Sequence, residues 1–149
     1  MTHFIRSLLV ALGLALAGGS VLAADEPAPP PTGDLAKARS LIAKKDWSAA
    51  VAELERLARR DAKNADVQNL LGYSYRNAGQ VDKAFTAYNN ALRLDPSHKG
   101  ANEYIGIAYL LAKQPEKANE HLARLKVLCG GENCEEYQDL AKAIAAYKP

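Results

Sequence analysis

A repeat of 34 residues is the feature that most constrains how this chain folds. Gly72 and Gly106 are 34 residues apart, and Tyr75 and Tyr109 have the same separation. Small and apolar positions recur with this step in the series Ala50, Ala84, Ala118; Leu54, Tyr88, Leu122; and Leu57, Ala91, Leu125. A fixed period of this length indicates repeated structural units, each of which buries its apolar face against its neighbours.

Each copy of the repeat contains two stretches with apolar residues at helical spacing, separated by a short turn. Gly79 marks the clearest turn, because glycine readily adopts the left-handed conformation that ends many helices. The equivalent turns are residues 44–46 and 113–115, where Asp46 is suited to cap a helix and Pro115 to its first turn. The pattern therefore predicts pairs of antiparallel helices.

The middle copy, residues 65–98, resembles a tetratricopeptide repeat (TPR). It has the residues of that family's pattern at the family's spacing: Leu71-Gly72, Tyr75, Ala84, Tyr88, Ala91 and Pro96. The third copy, residues 99–132, keeps most of the pattern, and the first, residues 31–64, is degenerate. The resemblance implies an all-α fold, a right-handed α-solenoid of about three TPR helix pairs that occupies residues 34–149.

One more helix is predicted after the third copy, over residues 134–147. Asn133 and Glu136 have the spacing of a capping box, which predicts Asn133 as the N-cap residue. We expect this helix to cover the apolar face of the last repeat, because repeat arrays need atypical ends.

The N-terminus has the features of an export signal. A start with Arg6 and no acidic residue precedes the apolar run 8–17, and small residues precede a cut between Ala23 and Ala24. We therefore predict a signal peptide at residues 1–23, a proline-rich linker at 24–33, a periplasmic location and no transmembrane span in the mature form. An uncleaved amphipathic anchor is the alternative.

The two cysteines, Cys129 and Cys134, are separated by four residues. In an oxidising compartment this proximity predicts a disulfide that holds the last helix to the third repeat. A redox-active pair is an alternative, although the spacing differs from the C-x-x-C motif of thioredoxin-like proteins. A metal site is not predicted, since His121 is the only further ligand close in sequence and zinc needs three or four.

Composition and motifs predict a protein that is not an enzyme. The net charge of +2 gives no electrostatic basis for binding nucleic acid. His98 and His121 belong to no recognisable nucleophile arrangement, and no motif for a phosphate, cofactor or metal occurs. The acidic pairs 53/55 and 135/136 are interpreted as solvated helix faces.

In the family that the chain resembles, the first helix of each repeat lines a concave groove that binds a partner. The resemblance places these residues in the groove: Asn69, Tyr73, Arg76 and Asn77 from the second copy; Glu103, Ile107, Leu110 and Leu111 from the third; and Leu35, Arg39 and Ile42 from the first. The predicted groove is polar with one cation in its middle. Toward the C-terminus it is apolar, and either open to a ligand or packed against the last helix.

The expected partner is a protein or peptide bound in this groove by an adaptor of the bacterial envelope. The sequence lacks the full set of basic residues and asparagines with which some family members bind a C-terminal EEVD peptide. Two alternatives remain, a thiol–disulfide protein that uses Cys129 and Cys134, and a structural subunit that assembles with copies of itself. Because Arg76 is expected at the surface, Arg76→Glu is predicted to leave the fold nearly intact.

Overall fold

A computed structural model describes residues 32–148 of the chain. This part consists of α-helices joined by short connections, and it contains no β-strand. The helices are α1 (Thr32–Ala43), α2 (Trp47–Arg60), α3 (Ala65–Asn77), α4 (Val81–Leu94), α5 (Lys99–Leu111), α6 (Pro115–Leu128) and α7 (Glu135–Ala146). None of these helices is long and apolar enough to cross a membrane.

The turns within the three helix pairs share one backbone geometry at the repeat spacing. Lys45, Gly79 and Lys113 have positive φ angles of 57°, 77° and 57°. At each turn the amide of the next residue donates to a carbonyl five residues back, as Gln80 N does to Tyr75 O at 2.8 Å. The predicted turns are therefore confirmed, although two of them impose the left-handed conformation on lysine.

The helix pairs stack into an all-α solenoid. Each helix packs against the next in the chain, and α5 also packs against both α3 and α7. Aliphatic and aromatic side chains of successive pairs merge into one core, which includes Leu54, Leu57, Val67, Leu71, Tyr75, Tyr88 and Ile105. The positions that repeat in the sequence are thus the positions that bury apolar surface.

The shared glycines lie where two helices approach most closely. A Cβ atom on Gly72 would lie 2.5 Å from a ring carbon of Tyr88, and one on Gly106 would lie 2.6 Å from a methyl carbon of Leu140. Leu140 on α7 is fully buried. The predicted last helix, α7, therefore packs on Gly106 of α5 in the same way as α4 packs on Gly72 of α3.

Two local predictions at the C-terminal end are wrong in detail. Helix α7 begins at Glu135, and its N-cap residue is Cys134, which makes no side-chain capping hydrogen bond. Asn133 therefore does not form the predicted capping box with Glu136. The disulfide loop precedes α7 directly, so a cysteine held by that bond occupies the position next to the helix.

The N-terminal predictions fall mostly outside the described residues. The signal peptide at residues 1–23 lies outside them, and so does the linker at 24–33 up to residue 31. Its last two residues belong to α1, which begins at Thr32.

In the acidic pair on α2, the prediction of a solvated face is wrong for Glu53, whereas Glu55 is half-buried. Glu53 is buried, and its carboxylate accepts hydrogen bonds from Lys37 at 2.9 Å and Arg56 at 2.7 Å. These bonds lower the pKa of Glu53 to about 2. Glu55 accepts a hydrogen bond from the Tyr75 hydroxyl at 2.5 Å. Glu53 therefore links α2 to α1 within the first helix pair, and Glu55 links α2 to α3.

Candidate partner-binding groove

Four helices, α1, α3, α5 and α7, contribute to one face of the solenoid, which we call the groove. Residues from all four helices line a common pocket, and α5 contacts both α3 and α7. Helices α1, α3 and α5 lie on the same face because each is the first helix of its pair. Helix α7 follows α6 and takes the corresponding place in the next position. The repeat therefore determines which helices form the groove.

Aromatic rings lie at the centre of the groove. The ring centroids of Trp47 and Tyr73 are 6.0 Å apart, and those of Tyr73 and Tyr104 are 5.0 Å apart. The guanidinium of Arg76 lies over both tyrosines, 5.2 Å from the Tyr73 centroid and 5.5 Å from that of Tyr104. We call these residues the aromatic cluster; its rings attract the cation through their electron-rich faces.

Two buried polar atoms, one on Arg76 in the aromatic cluster and one on Tyr88 beside it, lack hydrogen-bond partners in the part of the chain that the structure describes. Among the described residues, Arg76 Nη1 and the Tyr88 hydroxyl are buried and have no hydrogen-bond partner. A buried donor without an acceptor costs free energy in the unliganded protein. A carbonyl or carboxylate of a bound chain would satisfy Arg76.

An acidic pocket of about 310 Å³ adjoins this cluster, since Tyr104 belongs to both. Its lining includes Asn69, Glu103, Glu135, Glu136 and Asp139. Burial, followed by the nearby carboxylates of Asp139 and Glu136, raises the pKa of Glu103 to about 8. A carboxyl group with this pKa is largely protonated at neutral pH unless a cation reaches it.

An apolar pocket of about 380 Å³ lies toward the C-terminal ends of α5 and α7. It is lined by Ile107, Leu110, Leu111, Lys113, Ala143, Ala146, Tyr147 and Lys148. Leu110 is buried, whereas 60% of Leu111 is exposed. Helix α7 therefore flanks the apolar end of the groove without closing it, so both alternatives raised by the sequence hold in part.

The predicted groove residues differ in exposure. Asn77 is exposed, and its amide donates to Tyr73 O at 2.8 Å. Tyr73, Arg76 and Ile107 are half-buried. The prediction that these positions are exposed is wrong for a second group, which is buried: Asn69, Glu103 and Leu110. They are buried because neighbouring first helices pack against each other and cover the sides of the groove.

The three groove residues predicted from the first repeat also differ in where their side chains lie. Arg39 is exposed and lines the acidic pocket. Leu35 and Ile42 pack against the hydrophobic core. Helix α1 therefore contributes one charged side chain, that of Arg39, to the acidic pocket.

Sequence reasoning missed Trp47, Tyr104 and Asp139. Trp47 is the first residue of α2, which is the second helix of its pair and so is not expected in the groove. Tyr104 does not correspond to Tyr73 in the repeat, because the residue 34 positions after Tyr73 is Ile107. Asp139 lies on α7, for which the sequence predicts only a capping role. Their residue types, aromatic or acidic near groove positions, were the only available signal.

Neither histidine of the described chain lies in an arrangement for catalysis. His121 is buried against Asn102, with a 3.0 Å hydrogen bond between His121 Nδ1 and Asn102 Oδ1, and burial lowers its pKa to about 4. His98 caps α5 by accepting from Ala101 N and interacts with Asp66 at 3.2 Å. His98 therefore links the start of α5 to α3 of the preceding repeat, and His121 links α6 to α5 within the third repeat.

Cys129 and Cys134 form the predicted disulfide. Their sulfur atoms and a carboxylate oxygen of Glu136 lie within 4.8 Å of one another. Bonded sulfurs are not the thiolates that bind a metal, so this group does not form a metal site in the oxidised protein.

Comparison with known proteins agrees with this geometry. The sequence profile of the tetratricopeptide repeat family matches residues 35–98 and residues 70–133. The chain belongs to the tetratricopeptide repeat family. Among curated proteins, this TPR chain is 32% identical over 100 residues to DnaJ protein P58IPK homolog B of Oryza sativa subsp. japonica, a match that covers 66% of this chain and 21% of the relative. It thus spans about a fifth of the length of that relative.

Solved structures share the fold. MamA from Desulfovibrio magneticus RS-1 superposes with a TM-score of 0.63 at 23% identity, over 68% of this chain and 57% of MamA. The second TPR domain of human RPAP3, solved with the HSP70 peptide SGPTIEEVD, gives a TM-score of 0.65 at 18% identity, over 74% of this chain and 91% of that domain. The TPR solenoid is therefore common to all three proteins.

Proposed function

We propose that this TPR protein is a non-catalytic adaptor of the bacterial cell envelope, which holds a peptide or a helix of another protein in its groove. Membership of a family of interaction modules supports binding as its general role. The envelope location rests on the sequence features of residues 1–23.

The observation that carries the proposal is the set of unpaired polar atoms along the groove. Arg76 Nη1 and Asn69 Oδ1 are buried and have no partner among the described residues. One is a donor and the other an acceptor, so together they can bind polar groups of a peptide. The apolar pocket beyond them offers a place for an aliphatic side chain.

Site-directed photo-crosslinking tests the groove as the binding surface. A photoreactive amino acid at Leu111 would lie in the apolar pocket, and the same amino acid at Glu120 would lie exposed on α6, a second helix. We expect a discrete adduct from envelope extract at position 111 and none at position 120. Equal labelling at both positions, or labelling only at 120, would place the partner on another face.

A further inference from the structure

Two buried residues of the acidic pocket, Asn69 and Glu103, accept no hydrogen bond from the residues that the structure describes. Asn69 is 6% exposed, and its Oδ1 atom has no hydrogen-bond partner among the described residues. Glu103 is 7% exposed, and it makes no hydrogen bond or ion pair within the described chain. The two side chains come from different helices, α3 and α5, and line the same pocket.

The charges around these acceptors are mostly negative. The pocket is lined by carboxylates from three helices: Asp66, Glu103, Glu135, Glu136 and Asp139. The basic residues in the lining are Arg39 on α1 and His98, which already interacts with Asp66. Arg76 also acts on Glu103, and it lowers the pKa of that residue, but its effect is smaller than those of burial and of Asp139 and Glu136.

Local structure explains only part of this acidity. Glu135 and Glu136 lie in the first turn of α7, where negative charge stabilises a helix. Glu103 and Asp139 lie beyond the first turns of their helices, so the helix dipole does not favour them there. Burying Glu103 without a cation costs folding free energy that an apolar residue would avoid.

We propose that the acidic pocket binds a basic side chain, lysine or arginine, of the peptide that the groove holds; this inference rests on the proposed function. The ammonium or guanidinium group donates to Asn69 Oδ1 and to the Glu103 carboxylate, while Asp139 and the α7 glutamates supply negative charge around it. A pocket of about 310 Å³ is within the usual range for a ligand site.

The pocket also selects against acidic partners. A peptide that ends in several carboxylates would meet the like charges of Glu136 and Asp139, which disfavour binding. The expected ligand therefore combines a basic residue at the acidic pocket with an apolar residue at the apolar pocket.

Selection from a displayed library of random peptides tests the inference on the purified protein. We expect the selected sequences to share one lysine or arginine position together with an apolar position. If no peptide is enriched above background, the proposed function itself fails. If peptides are enriched without a basic position, peptide binding stands and the basic-side-chain inference is overturned.

Matched variants then locate the contact. For a selected peptide labelled with a fluorophore, Glu103→Gln and Asp139→Asn should each weaken binding by about tenfold or more, because each removes a negative charge that attracts the bound cation. The same peptide with norleucine in place of its lysine or arginine should bind the wild type much more weakly, and neither variant should weaken its binding further. Glu120→Gln on α6 also removes a carboxylate, but outside the groove, and should bind as the wild type does.

Two further outcomes would overturn the proposal. If Glu103→Gln and Asp139→Asn bind the peptide as tightly as the Glu120→Gln control, the basic residue lies elsewhere. Calorimetric titration with Ca²⁺ alone is the second check: tight binding that Glu103→Gln removes would assign the pocket to a metal cation. Circular dichroism melting of both variants, expected to match or exceed the wild type, shows that they are folded.

Discussion

At the residue scale, the glycines of the repeat set how closely the helices pack. Adding a Cβ atom at Gly72 forces the Tyr88 ring to move, and Tyr88 is fully buried. Adding one at Gly106 meets only the terminal methyl groups of Leu140. The two positions are equivalent in the sequence, but the atoms opposite them differ in how easily they can shift.

Gly72→Ala should therefore destabilise the protein more than Gly106→Ala. We expect a loss of about 1–3 kcal/mol at Gly72, because a buried ring is displaced. At Gly106 the strain is smaller, and the better helix propensity of alanine, worth about 1 kcal/mol, offsets much of it. Urea unfolding of both variants checks the order, and equal stabilities would contradict it.

Arg76 is less exposed than its sequence position indicates. Its guanidinium lies over Tyr73 and Tyr104 and is partly buried, so replacing it changes packing as well as charge. The expectation that Arg76→Glu leaves the fold intact is accordingly replaced. The new carboxylate would lose the attraction of both rings and would stand near Glu103.

We expect Arg76→Glu to lower the free energy of unfolding by about 1–3 kcal/mol. Arg93→Glu on α4 changes the same charge at an exposed position and should cost less than about 1 kcal/mol. Thermal or urea unfolding of the two variants is the measurement. A result in which Arg76→Glu is as stable as Arg93→Glu would show that the cation–ring contacts contribute nothing.

The pKa of Glu103 predicts a pH dependence. Its value of about 8 in the folded protein exceeds the ordinary value of 4.5. Between these two pH values the folded state therefore holds a proton that the unfolded state has released. The contribution of Glu103 to stability is therefore fully present below about pH 4.5 and is lost as the pH rises through about 8.

Glu103→Gln should remove this loss of stability at rising pH, because glutamine does not titrate. Between about pH 5 and about pH 8 the variant should gain at least about 1 kcal/mol relative to the wild type, since one pKa unit corresponds to about 1.4 kcal/mol. Glu120→Gln provides the control on α6. Urea unfolding at a series of pH values measures the difference, and a constant difference across that range would contradict the assignment to Glu103.

At the element scale, α7 depends on its attachment to the third helix pair. The helix packs against α5 and α6, and Leu140 is its one fully buried side chain. The Cys129–Cys134 disulfide closes the loop that leads into it. The bond therefore restricts where α7 can move when the protein unfolds.

Replacing both cysteines with serine should lower stability by roughly 2 kcal/mol, the loop-closure value for so short a loop. Leu140→Ala should cost more, about 2–5 kcal/mol, because it leaves a cavity against Gly106. Val127→Ala, at a position that is 80% exposed, is the matched control and should change little. Urea unfolding measures all three, and an unchanged Leu140→Ala protein would show that α7 does not contribute to the core.

At the scale of the whole molecule, the solenoid is stabilised mainly by contacts between neighbouring helices. Helix α7 is the last of these neighbours in the described chain, and it covers apolar surface on α5 and α6. A chain that ended after Glu132 would expose that surface and lose the α7 side of both pockets.

We expect this truncated chain to associate with copies of itself more strongly than the intact protein. Exposed apolar faces at the end of a repeat array favour stacking of one array on another. Light scattering at several protein concentrations makes the comparison. If both proteins have the same mass over that range, the surface beneath α7 is not adhesive.

The sequence by itself determined the repeat, the three turns at a spacing of 34 residues, the helix pairs and the disulfide. These features are local or periodic: a left-handed turn, an apolar face and two nearby cysteines are written in neighbouring residues. The signal peptide and the envelope location remain predictions from the sequence. The family pattern also identified three of the four helices that line the groove, α1, α3 and α5, but not α7.

Only the tertiary structure decided which side chains meet across that groove. The sequence pattern places Arg76 among polar surface residues, yet its guanidinium lies over Tyr73 and Tyr104, which belong to different repeats. Glu103 gains its raised pKa from burial and from acids of α7 that are more than thirty residues away in the chain. Burial and charge at such positions depend on how successive helices stack, and a periodic sequence pattern specifies the stacking without specifying the neighbours of each side chain.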